Sequence, residues 1–388
     1  MLRYFTAGES HGEALVAFIS GLPAGLKVNQ AFLDRDLWRR QQGYGRGGRM
    51  KIERDTAHIL SGVRQAQTIG SPVAILLENK DWKNWQESLP VAEGDPAKHK
   101  RVGSPRPGHA DLAGALKYNF PEARYVLERA SARESAARVA IGALAKLFLR
   151  ELGIEVASHV IGVGGVLISE KEIPWEQIHR LGEKQEILLN CADEEVEQRM
   201  KEEVDKVLKT GDSVGGVFEV VAHNVPPGLG TYAQWDERLD ALLAGAVMSL
   251  QAVKAVEIGT GIVAAGSPGS SVHDEIGYGA ATGFTRTRNN AGGIEGGVSN
   301  GQDIRVRGYL KPISTLRRPL QSVDFATRES VKAAYERSDV CVVPAAGVGA
   351  EAMVALTLAR CALEKFGGDS MTETLRNFQG YCQQLKNY

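Results

Sequence analysis

Ala14–Ser20 and Pro72–Glu78 are short apolar runs bounded by polar or turn residues, the pattern of strands. Gly21–Leu26 reads as a turn after the first of these, and Gln30–Gln42 reads as a helix with an arginine-rich end. Lys51–Arg54 and Ala57–Arg64 are short strand candidates. Asn79–Arg106 is polar and carries Trp82 and Trp85 with several Pro and Gly. It reads as a long loop, and its two tryptophans suit a loop that docks onto something. Glu128–Leu152 shows the strongest helical pattern, with Val139, Leu144 and Leu147 on one face, and Ser131 and Glu134 fit a Ser-x-x-Glu capping box. Val156–Leu167 and Ser213–His223 read as strands, Glu194–Leu208 as a charged surface helix, and Glu237–Ala252 and Gly347–Phe366 as apolar helices.

Phe18–Leu26 echoes Val221–Leu229, each a strand running through a proline-glycine turn toward a helix. Chance similarity of two turns is one explanation. Duplication is the other, and it implies two similar interwoven halves. No flexible linker is evident, so residues 1–388 read as one α+β domain.

A formal net charge of -1 leaves no global field toward nucleic acid or anionic membrane, so any anion site must come from local clustering. The amino terminus lacks the pattern of a signal peptide, and no run reads as a membrane span. Cys191, Cys341, Cys361 and Cys382 are scattered, which favours reduced thiols in the cytoplasm over disulfides or a metal site.

Several segments carry chemistry. Arg39, Arg40, Arg46 and Arg49 lie among glycines in WRRQQGYGRGGR, a loop shaped for an anion or simply a solvated basic end. RNA binding is the alternative for arginine-glycine runs. In RPGHADL a turn sets His109 behind Arg106, just before a helix start. Arg129 and Arg133, four apart, share a helix face near free N–H groups and suit a phosphate; pairing with Glu128 and Glu134 is the bland alternative. GESHG brackets His11 but lacks the strand-to-helix context of a hydrolase nucleophile elbow. GGIEGGVSNG is glycine-dense without a dinucleotide fingerprint, KPIST offers a cation and two hydroxyls, and Asp339 sits near Arg337.

Taken in order, GESHG, RRQQGYGRGGRM, RPGHADL, ERASARESAARVAIGA, GGIEGGVSNGQDI, KPIST and ERSDVCVVPAA resemble the chorismate synthase family. Two departures stand out, Ala130 where the family often has Ser and Ser338 where it often has His. The resemblance implies a β-α-β sandwich with internal duplication, assembled as a homotetramer. It implies 1,4-elimination of phosphate from 5-enolpyruvylshikimate 3-phosphate, with reduced FMN and no net redox change. His11 would protonate or steady the departing phosphate, His109 would stabilise the anionic flavin, and Asp339 would take part in proton removal from C6. Arg49, Arg106, Arg133 and Arg337 would bind substrate. Arg129, Ala130, Ser131, Gln251, Ala252, Gly296, Lys311, Pro312, Ile313, Ser314, Thr315 and Arg337 would hold the flavin. Arg40 and Arg46 fit an NADP contact in the family, or substrate. The flavin would be reduced by NADPH on the chain itself or by an external flavin reductase.

Overall fold

A computed structural model describes residues 1–47, 54–168, 172–280, 282–336 and 339–388. The expected strand at 51–54 therefore falls largely outside the described residues.

Two antiparallel sheets frame the molecule. The first runs Arg3–Ala7, Ala14–Ser20, Val73–Glu78, His58–Ile59. Burial alternates along its strands: Leu15, Ala17 and Ile19 are buried, as are Val73, Ile75 and Leu77, and Ala17 pairs with Ile75 in register. The second runs Val253–Ile258, Ile304–Leu310, Gly216–His223, Glu155–Val163, Val166–Leu167. The two echoing segments thus leave one strand in each sheet.

Between the sheets, Ser135–Glu151 packs on the first and Val343–Phe366 on the second, and the two helices pack on each other. Their approach depends on Gly142, where a Cβ would lie 2.3 Å from that of Ala352. Val343–Phe366 is, by length and composition, apolar enough to cross a membrane, contrary to the sequence expectation. Its most apolar window is 83% buried inside the fold, so that apolarity fills the core.

Other boundaries differ for local reasons. The predicted Glu128–Leu152 helix is three pieces: Arg124–Ala130, a tight turn at Ala132–Glu134, and Ser135–Glu151. Ser131 is extended at the break (φ -63°, ψ 140°), and its hydroxyl accepts from the Arg133 N–H. Glu134 does not reach back to complete a capping box; its carboxylate instead binds Thr6, Arg138 and Gln251. The expected Glu237–Ala252 helix is Leu239–Met248, because Ala252 takes a positive φ of 70° before the next strand. A turn at Gly164-Gly165 splits the expected 156–167 strand in two.

Candidate active site

Gly8, at φ +99°, turns the chain where a Cβ would meet the Ala14 carbonyl at 2.4 Å. The loop that follows is pinned to Arg124–Ala130: the Ser10 N–H donates to the Glu128 carbonyl at 2.9 Å. His11 is buried, its Nδ1 2.9 and 3.1 Å from the two Glu128 carboxylate oxygens. Its backbone N–H donates to the same carboxylate at 2.8 Å. Trp85 stacks on the imidazole with centroids 3.9 Å apart, so the tryptophan loop does dock, and it docks on His11. Burial alone would raise the Glu128 pKa; hydrogen bonds from His11 and the Arg124 charge prevail and hold it below the usual glutamate range.

His109 and Arg106 share one carboxylate. Asp111 lies 2.5 Å from His109 Nδ1 and accepts from Arg106 Nε at 2.8 Å. Burial pulls Asp111 upward, but its bonds to His109 and Arg106 hold it well below the usual range. Arg106 Nη1 also donates to Thr315 Oγ1 at 3.0 Å, which joins this turn to Lys311–Thr315. The Lys311 amine lies against the same turn, 4.0 Å from the position a Gly108 Cβ would take.

A third group surrounds Asp55. Arg133 reaches both its oxygens, one at 2.7 Å, and Arg40 reaches it at 3.1 Å. Arg46 pairs with Asp339 at 3.0 Å, and the Gly47 N–H donates to Asp339 at 2.6 Å. Burial lowers the Arg40 pKa, Asp55 offsets part of that, and the charges of Arg133 and Arg46 lower it further. Two guanidinium groups thus meet at the one Asp55 carboxylate, an arrangement that suits an incoming anion.

The helix break separates Arg129 from Arg133, so the expected shared face does not form. Arg129 is largely exposed and donates to the Gly8 and Thr6 carbonyls, each at 2.9 Å, while Arg133 turns inward to Asp55. Gln251 donates to Glu134 at 3.1 Å, and the Lys311 N–H donates to the Ala252 carbonyl at 3.0 Å. Contacts thus run from Arg106–His109 through Lys311–Thr315, Gln251-Ala252 and Glu134 to Arg129 and Ser131. Gly296 lies apart in the hairpin of Ile294–Glu295 and Val298–Ser299, whose Gly297 carbonyl accepts from the Leu239 N–H. Arg49 and Arg337 lie outside the described residues.

Asp55, Trp85, Asp111 and Glu128 complete these groups. The sequence alone places Trp85 in a docking loop and makes Glu128 an arginine partner, but marks neither as a neighbour of His11. It gives Asp55 and Asp111 no role, though Asp111 carries a local signal, two residues after His109. The donor set fits a phosphate-bearing flavin. Lys311 is half-buried, its pKa lowered first by burial and then by Lys254, and among the described residues no carboxylate pairs with it. Thr315 and Ser314 stand beside it.

A family model for chorismate synthase matches residues 2–363. The chain is 74% identical over its full length to the full-length chorismate synthase of Koribacter versatilis, and 68% identical to that of Acidobacterium capsulatum, again over both full lengths. A solved structure titled "Crystal Structure of Chorismate Synthase" superposes with a TM-score of 0.79 at 40% identity, covering 100% of this chain and 99% of that one. These matches define the class as a carbon–oxygen lyase of mixed helix and strand. The chain belongs to the chorismate synthase family.

Proposed function

We propose that this chain eliminates phosphate from 5-enolpyruvylshikimate 3-phosphate to give chorismate. One observation carries the reading beyond the family: the guanidinium groups of buried Arg40 and Arg133 converge on Asp55, with the Arg46–Asp339 pair near Arg40, and the substrate bears two carboxylates and a phosphate. Arg106 and Arg133, with Arg49 and Arg337, bind those groups; Arg40 and Arg46 serve the same anion or an NADPH phosphate. Rigid guanidinium forks suit such oxygens, and holding substrate in place supplies much of the rate.

Reduced FMN, when bound, supplies the electron chemistry. Lys311–Thr315, Gln251, Ala252, Arg129, Ala130, Ser131, Gly296 and Arg337 are its proposed holders. His109, braced by Asp111 and Arg106, offers positive charge to the reduced ring. His11 gives or steadies a proton at the departing phosphate. Asp339, paired with Arg46, takes part in removing the C6 proton. We further propose a β-α-β sandwich of two duplicated halves, one domain, a cytoplasmic homotetramer, and reduction of flavin by NADPH or an external reductase.

The test is anaerobic turnover with photoreduced FMN, following chorismate absorbance and phosphate release together. Both products appearing only with reduced flavin support the reading. Folded protein that yields neither overturns it. Repeating the assay with oxidised FMN and NADPH reads whether the chain reduces its own flavin.

A further inference from the structure

We infer that Glu128 is a positioning residue for His11: it fixes the proton on Nδ1 and, with Trp85, clamps the ring so that proton exchange runs through Nε2. This deepens the proposed function and rests on His11 acting at the departing phosphate.

The grip is unusually complete for one side chain. The Glu128 carboxylate faces His11 Nδ1 with both oxygens, at 2.9 and 3.1 Å, and also takes the His11 backbone N–H at 2.8 Å. The Glu128 carbonyl takes the neighbouring Ser10 N–H at 2.9 Å. Ring, backbone and adjacent residue are thus held by a single glutamate from another segment. An ionised carboxylate only accepts hydrogen bonds, so Nδ1 must donate. The tautomer follows, since the bond made at one ring nitrogen decides where the other carries or lacks its proton. Trp85, stacked at 3.9 Å and 29°, blocks one face and stops the ring from turning.

Both clamps have their own supports. Arg124 Nη1 donates to Glu128 at 3.3 Å, and its other groups bind Glu336 at 3.0 Å and the Lys100 carbonyl at 2.6 Å. Trp85 Nε1 donates to Asp81 at 2.9 Å, and the Lys100 amine lies 3.9 Å above the indole. Among the described residues, the charged groups packed on His11 and its two clamps include Glu128 and Arg124 from the helix, and Lys100 and Asp81 from the tryptophan loop, with Glu336 behind Arg124. Glu128 touches the imidazole directly.

The experiment compares wild type, Glu128→Gln, Glu128→Asp, His11→Ala and the double variant His11→Ala/Glu128→Gln in the reduced-FMN assay. Glu128→Gln is expected to lower kcat about a hundredfold, within the range of general acid–base catalysis, with KM changed less than about threefold. Its pH profile is expected to depart from that of wild type on the limb that His11→Ala abolishes, with partial rescue in Glu128→Asp. A residue acting only through His11 adds nothing once His11 is gone, so the double variant should match His11→Ala. A slow His11→Ala beside a Glu128→Gln of wild-type kcat and pH profile overturns the positioning role alone. A fully active His11→Ala overturns the His11 reading itself. If Glu128→Gln does not fold, ¹⁵N NMR of histidine-labelled wild type decides: a protonated Nδ1 at neutral pH supports the assignment, and an Nε2–H tautomer overturns it.

Discussion

Arg39 and Arg40 are neighbours on one helix, Gln30–Gln41, exposed by only 5% and 4%, yet they lie in opposite electrostatic worlds. Successive helical residues point about 100° apart, so one faces the core and the other the site. Arg39 binds Asp36 at 3.0 Å and Glu351 at 2.6 Å. Lys146 binds Asp36 at 2.7 Å and also binds Glu351, and the Ser158 hydroxyl donates to Glu351 at 2.6 Å. Two cations meet two carboxylates, and the Arg39 pKa rises despite its burial. Arg40 shares Asp55 with Arg133 and stands near Arg46, and its pKa falls, through burial first and then those two charges, against the pull of Asp55. What differs between the two arginines is the set of charges around each.

The largest expected effect breaks the neutral side. Glu351→Ala leaves Arg39 and Lys146 to share Asp36 alone in the core and should cost about 3–5 kcal/mol, read by denaturant unfolding. A loss under about 1 kcal/mol would show that water reaches the quartet. Asp55→Asn breaks the other side differently. It leaves Arg40 and Arg133 without their shared carboxylate and should cost about 3 kcal/mol in dilute buffer. Added phosphate should restore its melting temperature more than it raises that of wild type, because an anion can replace Asp55 but cannot enter the quartet. Equal shifts in both proteins would deny the cluster its anion preference.

These partnerships were poorly legible in the sequence. Strands Ala14–Ser20 and Gly216–His223 and the helix Gln30–Gln41 were legible because apolar runs and caps are local; Asn29 caps that last helix at the Phe32 N–H. Ordered motifs likewise located His11, Arg106, His109 and Lys311–Thr315. Asp55 meets Arg133 across 78 residues and Glu128 meets His11 across 117, so only the tertiary fold joins them. The break at Ser131 was hidden for a related reason. Its Ala- and Arg-rich surroundings favour helix, and the contacts of Glu134 with Thr6 and Gln251 override that preference.

Smaller effects sharpen the contrast. Arg133→Ala should weaken substrate binding about tenfold to a hundredfold, the worth of a hydrogen bond to a charged group. Part of the acid sensitivity should come from the neutral side. Burial opposes the Glu351 charge, but Arg39 and Lys146 hold its pKa below the ordinary 4.5. A carboxylate with a depressed folded pKa contributes stability that is complete above its unfolded value and is lost as pH falls through the folded one. Unfolding free energy should thus fall as pH drops below about 4.5, and Glu351→Gln should flatten that slope. An unchanged acid limb in the variant would assign the sensitivity elsewhere.

The most direct test of the central claim is calorimetric titration of enolpyruvylshikimate phosphate into wild type and Arg133→Ala, each with FMN present and each shown to be folded by its melting transition. Affinity is expected to fall at least about tenfold in the variant, with a weaker dependence on salt, while Arg40 keeps Asp55 paired and the variant stays folded. Equal affinity in the two proteins would contradict it and return Arg133 to the same structural role that Arg39 plays beside it.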